Sequence, residues 1–252
     1  MAAVIAVGSR DGGTRQGLVA SRNLTFSGNQ ALADSVRHSL YKYYDRREWA
    51  ENMLDGQMLF HSLSYFRDCE DQMRGDEYEG TSKFLPDGSL QVHNQTQGTQ
   101  FTLPHAFEST VKAQEIFVFC ASRTFSEDIA RGFNSVVCVE ITKIATLCAR
   151  IQAALPPTAT FKARRVDYYP QSQGGNPRWA LPDAIATSKL NRWSSQDEYR
   201  FVFSLTDALE FEKVECRLVQ RKDRTQPKPE EHLCYLLKVR NLRDICRLHA
   251  FA

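Results

Sequence analysis

The chain has no run approaching about 20 apolar residues, so no membrane-spanning helix is expected. Its opening, Met1-Ala2-Ala3-Val4-Ile5-Ala6-Val7, is too short for the apolar part of a secretory signal, and no basic residues precede it. The expectation is a cytoplasmic protein, or one exported without a cleavable signal peptide. There is no Lys/Arg run and no basic tail, and the formal net charge is +2. Charge therefore gives nucleic-acid binding no support, without forbidding it. CxxC, HxxxH, HExxH and GxSxG are absent, which argues against zinc ribbons, zinc hydrolases and α/β-hydrolases. No glycine-rich loop is placed to cradle a phosphate, since Gly12-Gly13 lies in a polar leader.

The cysteines number seven, an odd count that fits no disulfide framework. Most sit in apolar runs, such as Val118-Phe119-Cys120-Ala121 and Val137-Cys138-Val139. They are expected to be buried free thiols in a reducing compartment.

The hydrophobic fraction of 42% in 252 residues is enough for a sizeable core. Residues 1–38 are rich in Gly, Ser, Asn and Gln and read as a flexible leader. From Ser39 the elements interleave without a βαβ rhythm, and no linker divides them. The reading is one mixed α+β domain over 39–252, with a split β-sheet and short helices. Leu40–Tyr44 reads as a strand. A helix follows to Leu54, with Asp45 as N-cap, Trp49, Met53 and Leu54 as its apolar face, and Gly56 as its stop. Gln57–His61 reads as a second strand, and Ser89–Val92 with Thr99–Leu103 as a hairpin. Glu115–Ala121 and Ser135–Ile141 read as buried strands. Helices are expected from Ser126 and over Ile144–Ala154. Phe161–Tyr169, Glu198–Leu205, Phe211–Val219 and Leu233–Val239 complete the strands, with Phe211–Val219 pairing Glu198–Leu205.

Three segments carry the candidate chemistry. They are Tyr41-Lys42-Tyr43, His61-Ser62-Leu63-Ser64-Tyr65-Phe66-Arg67-Asp68, and Trp193-Ser194-Ser195-Gln196-Asp197-Glu198-Tyr199-Arg200. Together with Cys120-Ala121-Ser122, their order over residues 39–205 resembles a bacterial family of unknown function, marked by a YKY opening and a late W…EYR-type strand. One departure is notable. The family's turn continues Asn-Asp-Pro, whereas this chain has Arg67-Asp68-Cys69 and then RGDEYEG. More distantly, the same order is similar to the ADP-ribosyltransferase superfamily.

That second resemblance implies an ADP-ribosyltransferase or NAD glycohydrolase, with NAD as substrate and a macromolecular acceptor, most simply a protein. By the resemblance, Glu198 is the catalytic carboxylate and Gln196 orients the acceptor. Ser62 and Ser64 hold ribose and nicotinamide, and Tyr43 and Tyr65 belong to the NAD site. Lys42, Arg67 and Arg74 are its phosphate contacts, Lys42 standing where the superfamily has Arg or His. Bacterial relatives of this kind are toxins or effectors. The chemistry is coherent: loss of nicotinamide puts positive charge on the ribose, and a carboxylate beside it stabilises that charge.

Each residue also has a plainer reading. Lys42 alternates with two tyrosines and can simply face solvent. Ser62 and Ser64 can make turn hydrogen bonds. Glu198 and Arg200, two apart on a strand, can form an ion pair on one sheet face. The charged loop 66–80 holds Asp68, Glu70, Asp71, Asp76 and Glu79. It supports two alternatives: a non-enzymatic protein-binding module, or a metal-dependent nuclease or phosphatase. Internal pairing of its acids with Arg67 and Arg74 is the plainer account of that loop.

Overall fold

The computed structural model describes residues 4–6 (backbone only), 39–67, 69, 75–94, 96–173, 180–220 and 231–251. The strands, in chain order, are β1 Val4–Ala6, β2 Leu40–Tyr44, β3 Gln57–Ser62, β4 Thr81–Phe84, β5 Leu90–Asn94 and β6 Thr99–Leu103. Then come β7 His105–Thr110, β8 Phe117–Ser122, β9 Val137–Ile141, β10 Thr160–Arg165 and β11 Asp167–Tyr169. The last are β12 Ser188–Leu190, β13 Glu198–Ser204, β14 Glu215–Gln220, β15 Cys234–Lys238 and β16 Cys246–Ala250. The class is mixed and sheet-rich.

Eight strands form the principal sheet, in the order β10-β13-β8-β2-β9-β16, with β3 on β8 and β15 on β3. Its middle is covered on both faces: every residue of β13 is buried. Phe60, Phe119, Phe201 and Phe203 make the aromatic heart of the core. Against one face pack two helices. Arg47–Leu54 contributes Ala50, Met53 and Leu54. Ile144–Ala154 contributes Ile144, Leu147 and Ile151, the helical spacing of one apolar stripe. Smaller sheets (β14-β7-β4, β1-β5-β6 and β11-β12) complete the fold.

Several sequence expectations need correction. Asp45 does not cap the first helix: Arg46 is the N-cap, with no side-chain hydrogen bond. Trp49 is not core; it is 46% exposed. Gly56 does stop the helix, at φ +94°, where a side chain would be strained. Phe161–Tyr169 is two strands, because the chain turns at buried Val166. Its N–H donates to the Glu198 carbonyl, and the next N–H, of Asp167, donates to the Thr187 carbonyl. The chain therefore leaves β13 and joins β12. Phe211–Val219 does not pair with β13. Its strand portion, β14, lies against β7 in register from Glu215↔Thr110 to Gln220↔His105. Of the cysteines only Cys138 and Cys246 are buried, while Cys216 and Cys234 are exposed; all seven are free thiols.

Candidate functional site

The principal sheet forks at β8. One edge of β8 is paired with β13 from Phe117 to Ser122. The other edge meets β3 only at Phe117 and Val118, and β2 only at Ser122. Phe119, Cys120 and Ala121 are thus paired on one side alone. The gap between β2 and β3 is a cleft of about 460 Å³. Four consecutive β8 residues, Phe119 to Ser122, line it. Strand side chains alternate between faces, so a consecutive run means that the backbone edge itself borders the cleft. Tyr41 to Asp45 line the opposing β2 side in the same manner, and the helix joining β2 to β3 adds Trp49 and Asn52.

A buried charge cluster forms the inner wall. Glu198 is 5% exposed and Arg200 only 1%. The Arg200 Nε donates to Glu198 Oε1 at 2.7 Å. The same guanidinium grips Glu79 through both terminal nitrogens, at 2.6 and 2.8 Å, and the Ala186 carbonyl at 2.6 Å. Lys189 Nζ lies 2.9 Å from Glu198 Oε2 and donates to Gln196 Oε1 at 3.1 Å. Burial alone would raise the Glu198 carboxyl; the Arg200 and Lys189 charges override it and hold the group far below the usual carboxylate range. Asp76, at the edge of the cluster, moves the other way, raised by burial and by Glu79. Burial, and then the Glu198 charge, push the Tyr168 hydroxyl up to about 12. That hydroxyl accepts from the Glu198 N–H at 2.9 Å.

The turn before Glu198 is unusual. Asp197 takes left-handed backbone, φ 39° and ψ 55°. For a residue other than glycine that is a sparsely populated conformation and needs support. Support comes from Thr124 Oγ1, which donates to Asp197 Oδ2 at 2.9 Å, and from Arg123 and Arg165 at 3.5 and 3.6 Å. The Ser122 hydroxyl donates to the Gln196 carbonyl at 2.8 Å. This clamp fixes where Gln196 and Glu198 emerge. On the opposing side the Lys42 ammonium lies 4.7 Å from the Phe119 ring centroid. His61 stacks on Tyr65 with centroids 4.2 Å apart.

Of the residues singled out from sequence, Lys42, Tyr43, Tyr65, Gln196 and Glu198 line this one cleft. Ser62 and Ser64 do not. Both are fully buried, their hydroxyls 2.8 Å apart. Ser64 donates to the Glu231 carbonyl and Ser62 accepts from the Leu233 N–H. Their work is to tie the end of β3 to the chain entering β15. Tyr43 points its hydroxyl out of the cleft, donating to the Thr124 carbonyl and accepting from the Ser126 N–H. Arg67 ends the short Leu63–Arg67 helix and is not part of the cleft lining. Arg74 lies outside the described residues, as do Asp68, Glu70 and Asp71. The other three acids of that loop, Asp76, Glu77 and Glu79, meet cations from distant strands and turns: Arg192, Lys189 and Arg200. Among the described residues no group of three or more His, Cys, Asp or Glu side chains is arranged to hold a metal ion.

Lys189 is the residue that sequence reasoning missed outright. It sits in a three-residue strand and carries no motif; only the fold brings it to Gln196 and Glu198. No protein-family model matches the chain, nor does any curated protein or solved structure.

Proposed function

We propose that the cleft binds NAD and that the protein transfers its ADP-ribose to a macromolecule or hydrolyses it, on a split sheet of ADP-ribosyltransferase type. The observation that carries this reading is Glu198: an ionised carboxylate at the inner wall of an aromatic cleft, with Gln196 beside it and Lys42 on the opposing strand. In the reaction the bond between ribose C1′ and the nicotinamide nitrogen breaks, and its electron pair leaves with the nicotinamide. Positive charge develops on the ribose. A fixed anion in a site largely shielded from water stabilises that charge strongly. Glu198 Oε1 accepts from Arg200 Nε at 2.7 Å, and Oε2 accepts from Arg200 Nη2 at 3.4 Å with Lys189 Nζ 2.9 Å away, so two cations hold the carboxylate in place as the fixed anion. The acceptor then bonds to C1′ and loses its proton. Lys42, on the opposing strand of the cleft, is the cation assigned to the diphosphate. Such a chain fits a toxin or effector.

The test is release of nicotinamide from NAD by the purified chain, with lysate as acceptor source. Wild type should release it, and Glu198→Gln should lose about 10²-fold or more of the rate. Absence of release together with absence of NAD binding by calorimetry would overturn the reading. One observation favours a second reading, a binding module without turnover. Arg200 is so thoroughly engaged that the cluster also serves as a latch between β13 and the segment ending at Gly80. In that reading Glu198→Gln changes stability and nothing else.

A further inference from the structure

Exposed apolar groups are costly when clustered, and the mouth of the cleft holds a cluster. Trp49, Leu59 and Leu236 are 46%, 42% and 50% exposed, and all three line the cleft. Leu59 and Leu236 are direct partners across the β3–β15 ladder. Trp49 stands on the helix that joins β2 to β3. An indole on one wall and a leucine pair on another are surfaces suited to a flat ring. Two carboxamides share the mouth: Asn52, one helical turn beyond Trp49, and Gln57, on the same face of β3 as Leu59. Among the described residues neither carboxamide makes a side-chain hydrogen bond. A carboxamide offers a donor and an acceptor side by side. That pair matches the N7 acceptor and N6 amino donor of adenine, and mismatches guanine, which offers two acceptors there.

We infer that the cleft mouth is an adenine-binding subsite formed by Trp49, Leu59 and Leu236, with Asn52 and Gln57 reading the base edge. The inference rests on the NAD reading for its orientation. Glu198 is at the buried end and Trp49 at the exposed end, so a dinucleotide whose reacting ribose meets Glu198 has its second base at the mouth. The occupant is a purine nucleotide, not an apolar protein side chain, because an apolar side chain leaves both carboxamides without a partner.

The experiment is calorimetric titration of the full chain with AMP and with GMP, using wild type, Trp49→Ala, Trp49→Phe and Asn52→Ala. Trp49 is half exposed, so its variants should fold, and circular dichroism checks that they do. AMP should bind, with GMP at least tenfold weaker. Base–aromatic stacking predicts that Trp49→Ala weakens AMP by about tenfold or more, and that Trp49→Phe restores most of it. Asn52→Ala should narrow the gap between AMP and GMP. Failure of AMP to bind, equal binding of AMP and GMP, or AMP binding indifferent to Trp49→Ala would each overturn the subsite. The two proposals fail separately. AMP bound through Trp49, with neither nicotinamide release nor NAD binding, keeps the adenine subsite and removes the transferase. Nicotinamide release without AMP binding does the reverse.

Discussion

Glu198 is held by two cations in a site shielded from water, and its ionisation makes stability depend on pH in a definite direction. Its folded-state pKa is depressed, so its contribution is present above the unfolded value, roughly 4.3, and is lost as pH falls below it. Glu198→Gln keeps the shape but weakens the charge-assisted contacts with Arg200 and Lys189. It should cost about 1.5–3 kcal/mol at pH 7. Urea denaturation at pH 7 and at pH 3 checks this: the gap to wild type should shrink at the lower pH, and a gap independent of pH would contradict it. Glu198 and Gln196 were legible from sequence because a motif placed them two apart beside a strand. Lys189 was not, since its role depends on β12 reaching β13 through a contact that no local pattern encodes. Ser62 and Ser64 were misread for a physical reason. A Ser-x-Ser at a strand end serves a ligand or the neighbouring backbone equally well, and only burial decides.

Elements were legible where they were strongly apolar. Ile144–Ala154 was expected with the bounds it has, and β13 within one residue. Strands β4, β7 and β16 went unread because they are short, mixed in polarity, and held by partners distant in sequence, as β16 is held by β9. The partner of β14 was likewise invisible, since adjacency along the chain favoured β13. Gly56 shows what local signals do capture. The residue that ends the first helix also sits where a Cβ would come within 2.3 Å of the Val239 carbonyl oxygen. Gly56→Ala combines that clash with a positive φ, and should destabilise by about 1–3 kcal/mol or more. Thermal unfolding measures it. A shift near zero would mean that the turn into β3 yields easily.

The molecule as a whole is organised around a sheet that fails to close. The mixed class was readable from the irregular order of elements, and a split sheet was expected with it, but the place of the fork was not legible, because it arises from which strand ends touch β8 and which do not. Helix Arg47–Leu54 keeps the two prongs connected at the open side. Phe60 on β3 packs against Phe119 on β8 and Phe203 on β13, which ties that prong to the middle of the sheet. Sequence reasoning set a cleft between the early strand–helix–strand that carries Lys42 and the late strand that carries Glu198; that this cleft is a gap in the ladder beside β8 has no local signal. The fork has one more consequence, in isotope labelling. Phe119–Ala121 lie in the middle of the sheet, where amide protons ordinarily trade with deuterium only on deep unfolding. Any of these amides aimed into the gap should trade far sooner than those of Phe201–Phe203 on the neighbouring strand, and a molecule lodged between the banks should slow it. Mass spectrometry of the peptide spanning β8, with and without NAD, would read that protection directly. Uniformly slow labelling across both strands would mean that the gap closes in solution.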